Sequence, residues 1–141
     1  MLLLDTNVVS ELMRPAADRA VPRWLAAQPQ AGIYICAITE AELRVGVALL
    51  PEGRRRDALA ADVEAMVAED FGGRTLPFDS AASAEYAKIV AARRRAGRPI
   101  AVFDAQIAAI ARSRGASLAT RNVADFEGTG IVVINPWTRG A

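Results

Sequence analysis

The sequence contains no histidine and a single cysteine, Cys36. The first absence excludes a Ser-His-Asp triad, a Cys-His dyad, imidazole acid–base work and every metal site that needs an imidazole. The second excludes an intrachain disulfide framework and a thiolate zinc cluster, and a lone thiol suits a reducing compartment. Lysine is nearly missing as well: sixteen of the seventeen basic residues are arginine, and the other is Lys88. Aromatic residues make up 6% of the chain and do not interleave with its basic runs, so the sequence offers no stacking platform for a single strand. With 17 basic and 16 acidic residues the net charge is +1, which exerts no global pull on nucleic acid or membrane. No long apolar run is present either. The opening Met1–Leu4 stops at Asp5, too short for a signal-peptide core or a membrane span, and a soluble cytoplasmic protein is expected. Hydrolytic chemistry must therefore rest on carboxylates, hydroxyls, arginine or Lys88.

What is present suits one globular domain over residues 1–141. Apolar residues are 52% and charged residues 23%, with no repeat or low-complexity tract. Short apolar runs at Leu2–Leu4, Ile33–Ile38, Thr75–Phe78, Ser117–Thr120 and Ile131–Ile134 read as strands. Between them lie helical stretches: Val8–Met13, one holding Trp24 and Leu25 after Pro22, Thr39–Leu50, Arg54–Phe71, one from Asp79 or Ser80 to about Arg95, and Ile100–Arg114 ended by Gly115. This alternation predicts an α/β fold whose mostly parallel sheet is covered by helices on both faces. In such sheets ligands sit outside the carboxyl ends of the strands.

Acids fall at those ends. Asp5 follows the first strand directly and reads either as a helix N-cap or as a site residue. Glu42 lies three residues after Thr39, the spacing of a capping box; the alternative is that it points into the crevice, with Gly46 leaving space beside it. Glu40 is a rival, but it lies about 160° round the helix from Glu42, so both cannot face one site. Asp104 opens a helix that is apolar on nearly every side and should be buried all round; an unpaired carboxylate there needs a partner or a cation. Asn122 follows the fourth strand, with Asp125 three residues on; a polar turn is the structural alternative. Clustered carboxylates repel, and a divalent ion resolves the repulsion. Oxygen-only ligands suit Mg²⁺ or Mn²⁺, and in a chain without histidine such an ion is the evident way to activate a water for phosphodiester hydrolysis.

The segments LLLDTNVVSELMRP, AITEAELRVGVALL, VFDAQIAAIA and ATRNVADFEGTGIVVINPW resemble, in order and spacing, the blocks of PIN-domain proteins, and most of all the VapC-type toxin ribonucleases of the FitB-like group. The resemblance runs from Leu2 to Trp137. It implies a three-layer α/β/α sandwich with a central sheet of about five strands. It implies Mg²⁺- or Mn²⁺-dependent endoribonuclease activity on tRNA or rRNA and a toxin homodimer. It also implies a cognate VapB- or FitA-like antitoxin, through which alone the protein meets DNA. The family's acids fall on Asp5, Glu42 and Asp104, as catalytic residues and metal ligands, which selects Glu42 over Glu40. Its fourth acidic position falls on Asn122, whose amide can hold a metal or its water but adds no charge; Asp125 is the substitute. Thr6 and Thr120 match polar positions beside the pocket, suited to orienting the acids or a water.

Two basic runs, Arg54–Arg56 and Arg93–Arg95 with Arg98, read first as solvated helix faces and second as an approach for an RNA backbone or an antitoxin. The apolar surplus fits a dimer or antitoxin interface around Leu12, Met13 and Trp24, or simply the abundance of alanine. A haloacid-dehalogenase-type phosphatase would need an acid where Asn7 stands and a lysine near a strand end, whereas Lys88 sits mid-helix; a receiver domain fails for the same lysine. The remaining alternative is a PIN-like binding protein without turnover, acting with a DNA-binding antitoxin at an operator.

Overall fold

The computed structural model describes residues 1–16 and 18–139, with the Arg139 side chain left aside. Five short strands form one all-parallel sheet: β1 (Leu2–Leu4), β2 (Ile33–Cys36), β3 (Thr75–Leu76), β4 (Ser117–Ala119) and β5 (Val133–Ile134), in the order β3-β2-β1-β4-β5. The helices are α1 (Thr6–Met13), α2 (Ala20–Ala26), α3 (Ala37–Ala48), α4 (Arg54–Ala65), α5 (Ser80–Arg95), α6 (Val102–Arg114) and α7 (Pro136–Arg139).

Adjacent strand residues serve opposite faces. Leu3, Cys36 and Leu118 join a core with Ile89 of α5 and Ile107 and Ile110 of α6. Their neighbours Leu4, Ile35 and Ala119 join a second core with Val8 and Val9 of α1, Val21 of α2 and Phe71. Side chains alternate along a strand, so a sheet apolar on both faces must be covered twice, and three layers result. Leu3 and Leu4 are both fully buried, each worth roughly 1.5–3 kcal/mol over exposure. No helix among the described residues is long and apolar enough to cross a membrane.

Several expected boundaries move. β2 ends at Cys36 and α3 starts at Ala37, so Thr39 lies inside the helix instead of capping it. The cap position is Cys36, which makes no side-chain cap bond, and the predicted Thr39–Glu42 box does not form because both side chains are engaged elsewhere. α6 begins at Val102, not Ile100. It is also not buried all round: Val102 and Phe103 in its first turn are exposed, while Ala105 and Ile107–Ala111 form the buried stretch. α4 gives way to a wider π-type turn at Met66–Asp70. By contrast, Asp79 caps α5 as expected, accepting from the amide of Ala82 at 3.0 Å, and Gly115 ends α6 in the left-handed region at φ 65°.

One residue of the second arginine run leaves the solvated face. Arg93 is buried, and its guanidinium donates to the carbonyls of Arg98, Asp125 and Glu127 at 2.7–2.9 Å. It ties the end of α5 to the loop after β4. Arg94 and Arg95 are exposed, and Arg98 pairs with Glu127 at 3.0 Å.

Candidate active site

The sheet order reverses at β1, whose chain goes to β2 on one side while β4 lies on the other. Register places Leu4 beside Ala119, so Asp5 and Thr120 leave the sheet together, and the Asp5 amide donates to the Ala119 carbonyl at 2.9 Å. Asp5 is 4% exposed. Its Oδ1 accepts from the Thr6 amide at 2.8 Å, which makes it the N-cap of α1. Its Oδ2 accepts from the Thr120 hydroxyl at 2.7 Å and from Asn7 Nδ2 at 3.3 Å. Both readings of Asp5 therefore describe the same carboxylate. Burial pushes its pKa up, opposed by those three donors.

Thr6 reaches across to α3. Its hydroxyl oxygen lies 2.8 Å from Glu42 Oε1 and 3.1 Å from Thr39 Oγ1. Its one proton goes to the carboxylate, the stronger acceptor, and Thr39 then serves Thr6 as donor. Glu40, on the other side of α3, pairs with Arg44 at 2.8 Å. The first turn of α6 brings in Asp104. Among the described residues its carboxyl has no hydrogen bond and no ion pair. Its pKa is pushed up to about 6, first by burial and then by the charges of Asp5, Asp125 and Glu42, with Arg93 acting the other way.

Asp5, Glu42, Asp104 and Asn122 line one cavity of about 450 Å³ at the carboxyl end of the sheet. Thr6 and Asn7 share that wall, and Thr120 lies just behind it, accepting from the amide of Asn122 at 3.1 Å and from Asn7 Nδ2 at 3.3 Å. Asp125 is not in the cavity wall. It stands exposed on a short 3₁₀ turn, Val123–Phe126, near enough to act on Asp5 and Asp104 by charge.

Among the described residues no three carboxylate or thiol groups gather tightly enough to cage one ion. The donors still fit a divalent ion of the Mg²⁺ class, which takes oxygen ligands and is commonly held by one or two carboxylates while keeping several waters. Asp104, unpaired among the described residues and with its pKa raised, adds to a concentration of negative charge against which Arg93 acts without forming an ion pair.

Sequence reasoning missed two features. The first is a pair at the cavity rim: the Arg121 guanidinium lies over the Trp137 ring, 5.0 Å from its centroid, and both residues line the cavity. No basic–aromatic interleaving is visible in the sequence because these partners are far apart in it and meet only through β5 and α7. The second is an apolar groove of about 650 Å³ between α1, α3 and α4. It shares Thr6 and Glu42 with the cavity and is walled by Leu43, Val47 and Leu59. Gly46 lines this groove, and a Cβ there would meet nothing within 4 Å, so the position faces open space.

The PIN-domain family profile matches residues 2–130. This chain belongs to the PIN-domain family. It is 44% identical to the VapC ribonuclease Y4jK of Sinorhizobium fredii over 137 residues, covering 97% of this chain and 98% of that protein. It is 42% identical to toxin FitB of Neisseria gonorrhoeae over 137 residues, covering 97% and 99%. The solved structure of FitAB bound to an IR36 DNA fragment contains a chain that superposes with TM-score 0.91 at 41% identity, covering 97% of this chain and 96% of that one. The fold of that solved chain is thus the fold of this chain, whose sheet is five-stranded and all-parallel.

Proposed function

We propose that this PIN-domain protein is the toxin of a toxin–antitoxin pair and an endoribonuclease that hydrolyses phosphodiester bonds of cytoplasmic tRNA or rRNA with a divalent cation, Mg²⁺ or Mn²⁺. The observation that carries the reading is the convergence of Asp5, Glu42 and Asp104 on one cavity at the sheet's switch point, with Asp104 unpaired. Relatives named VapC ribonuclease and toxin FitB, aligned over nearly the whole chain, support it.

Asp5 and Asp104 would hold the cation, with Glu42 as a further ligand through water, and the amide of Asn122 beside them. When bound, the ion supplies Lewis acidity toward a phosphodiester and lowers the pKa of a water toward neutrality. The chain's own residues do the positioning. Thr120 and Asn7 fix one oxygen of Asp5, the Thr6 amide fixes the other, and the Thr6 hydroxyl aims Glu42. The apolar groove that opens off the cavity suits an extended or helical segment of a FitA- or VapB-like antitoxin. A segment seated there would reach the acids and block them. DNA binding then belongs to the antitoxin, and the toxin itself is read as a homodimer.

The test is cleavage of total cellular RNA by the purified protein, with mapping of the new ends. EDTA should stop cleavage, Mg²⁺ or Mn²⁺ should restore it, and Asp5→Asn should abolish both cleavage and growth arrest while the protein still folds. Full activity in Asp5→Asn, or in EDTA, refutes the metal assignment. No cleavage under any metal condition leaves a binding protein that works through its antitoxin at an operator.

A further inference from the structure

We propose that Arg121 and Trp137 form a nucleobase subsite at the rim of the acidic cavity, which stacks one unpaired base of the RNA beside the phosphodiester to be cut. The proposal rests on the endoribonuclease reading. It names residues that neither the acids nor the family blocks assign to substrate.

The cavity poses an electrostatic problem. Its wall is rich in carboxylate, and its ligand is a polyanion. Two cations line it, Arg14 and Arg121. Arg14 is paired with Glu11 at 3.1 Å. Among the described residues the Arg121 side chain makes no hydrogen bond and no ion pair; its one partner is the Trp137 ring, 5.0 Å away. Both members of that pair are fixed from behind. Trp137 is half-buried, packs against the core of Leu4, Val8 and Val9, and its amide donates to Asn135 Oδ1 at 3.0 Å. The Arg121 amide donates to Asn7 Oδ1 at 3.2 Å, which ties it to the side chain that also holds Asp5.

An exposed cation over an indole gains only about 0.5–1 kcal/mol, too little to account for placing both in the wall of this cavity. A planar cation on an aromatic ring, beside a site that handles phosphodiesters, is the chemistry that binds an unstacked base. Guanidinium planes and indoles stack bases of any identity, and a base inside a duplex cannot reach them. The subsite therefore selects single-stranded or looped RNA over duplex without reading sequence strictly.

The test uses the full chain with two background changes. Asp104→Asn prevents turnover, and Trp24→Phe leaves Trp137 as the only tryptophan of the two in the sequence. An eight-nucleotide single-stranded RNA should quench Trp137 emission, and the same strand in a duplex should not. Arg121→Gln should weaken binding about tenfold, the loss expected for one stacked base. Arg121→Lys should lose as much, since it keeps the charge and not the plane. In the otherwise unaltered protein, Arg121→Gln and Trp137→Leu should raise KM about tenfold with kcat within about twofold, and Trp137→Phe should recover most of the loss. Arg121 is exposed, so its variants test the subsite without disturbing the core that Trp137 joins. Absence of quenching, full binding by Arg121→Lys, or an unchanged KM in Arg121→Gln overturns the proposal. If the protein cleaves no RNA, the ribonuclease reading falls, and the quenching of Trp137 alone decides the subsite.

Discussion

Replacing Asp104 with asparagine removes the charge that the fold accommodates least well, and its effect on stability can be worked out before any enzymology. The carboxyl titrates near 3.8 when unperturbed and is pushed up to about 6 in the folded chain. Below about pH 3.8 both states carry the proton and the residue costs nothing. As pH rises from there to about 6, the unfolded chain releases its proton while the folded chain keeps it, so stability falls. Above about 6 the full penalty is present. A gap of roughly two pH units at 1.36 kcal/mol each sets a ceiling of about 3 kcal/mol. Asp104 is only half-buried, and solvent screening brings the expected penalty down to about 1–1.5 kcal/mol. An asparagine at this position is neutral and nearly isosteric, so it escapes that cost. In EDTA at pH 7.5 the Asp104→Asn protein should melt higher by about 3–6 °C, and the difference should shrink toward zero at pH 4. Added Mg²⁺ at about a hundred times its dissociation constant should stabilise the parent protein by about 2.7 kcal/mol and the variant hardly at all. The variant should also cleave no RNA. Equal melting temperatures at pH 7.5, or a difference that persists on acidification, would refute the electrostatic account of this residue. The comparison is made by differential scanning calorimetry across pH.

Thr120→Val removes the 2.7 Å donation to Asp5 and the acceptor for the Asn122 amide; it should destabilise by about 1–2 kcal/mol in urea titration and raise the Mg²⁺ concentration for half-maximal cleavage roughly tenfold or more. Glu42→Gln should lower the cleavage rate about a hundredfold, whereas Glu40→Gln, which loses only the pair with Arg44, should leave it within about twofold; equal effects of the two would reverse their assignment. Arg93→Met keeps the buried stem but strands the carbonyls of Arg98, Asp125 and Glu127, and should lower the unfolding free energy by about 2–4 kcal/mol; a loss under about 0.5 kcal/mol would mean that the clamp is not structural.

The layers and the sheet were legible because they depend on local pattern. Apolar pairs such as Leu3 and Leu4 can satisfy a sheet only if both faces are covered, and their two cores lie on opposite sides as that rule requires. Punctuation by Asp79 and Gly115 was legible for the same reason: cap and terminator act within a turn of themselves. Glu42 shows where this stops. Thr39 and Glu42 have the spacing of a capping box, and the same spacing serves a helix whose start lies two residues earlier. What decides is the hydroxyl of Thr6, which lies 36 residues from Glu42 in sequence and 2.8 Å away in space. The arginine run fails similarly. Arg93, Arg94 and Arg95 are identical in composition, yet only Arg93 faces the loop after β4 and is buried there. The Arg121–Trp137 pair depends on β5 returning beside β4, which no window of sequence contains.

Counting lone pairs at Asp5 links its two roles. A carboxylate has about four acceptor sites. The Thr6 amide takes one on Oδ1, while Thr120 and Asn7 take two on Oδ2. One site remains, on Oδ1, so Asp5 can give a cation a single ligand while it caps α1. Glu42 has one oxygen committed to Thr6. Of these three acids Asp104 alone, among the described contacts, has both oxygens unclaimed. The capping and threonine contacts would thus make Asp5 a rigid but limited ligand for the proposed cation and leave more of the electrostatic demand on Asp104. Asp104, with no donor of its own among the described contacts, has only Arg93 to act against its burial and the charges of three neighbouring acids. On the proposed metal reading, a site with an amide at Asn122 in place of a fourth acid would still draw a cation through Asp104, on the first turn of α6, in the cavity wall that Asp5 and Glu42 share.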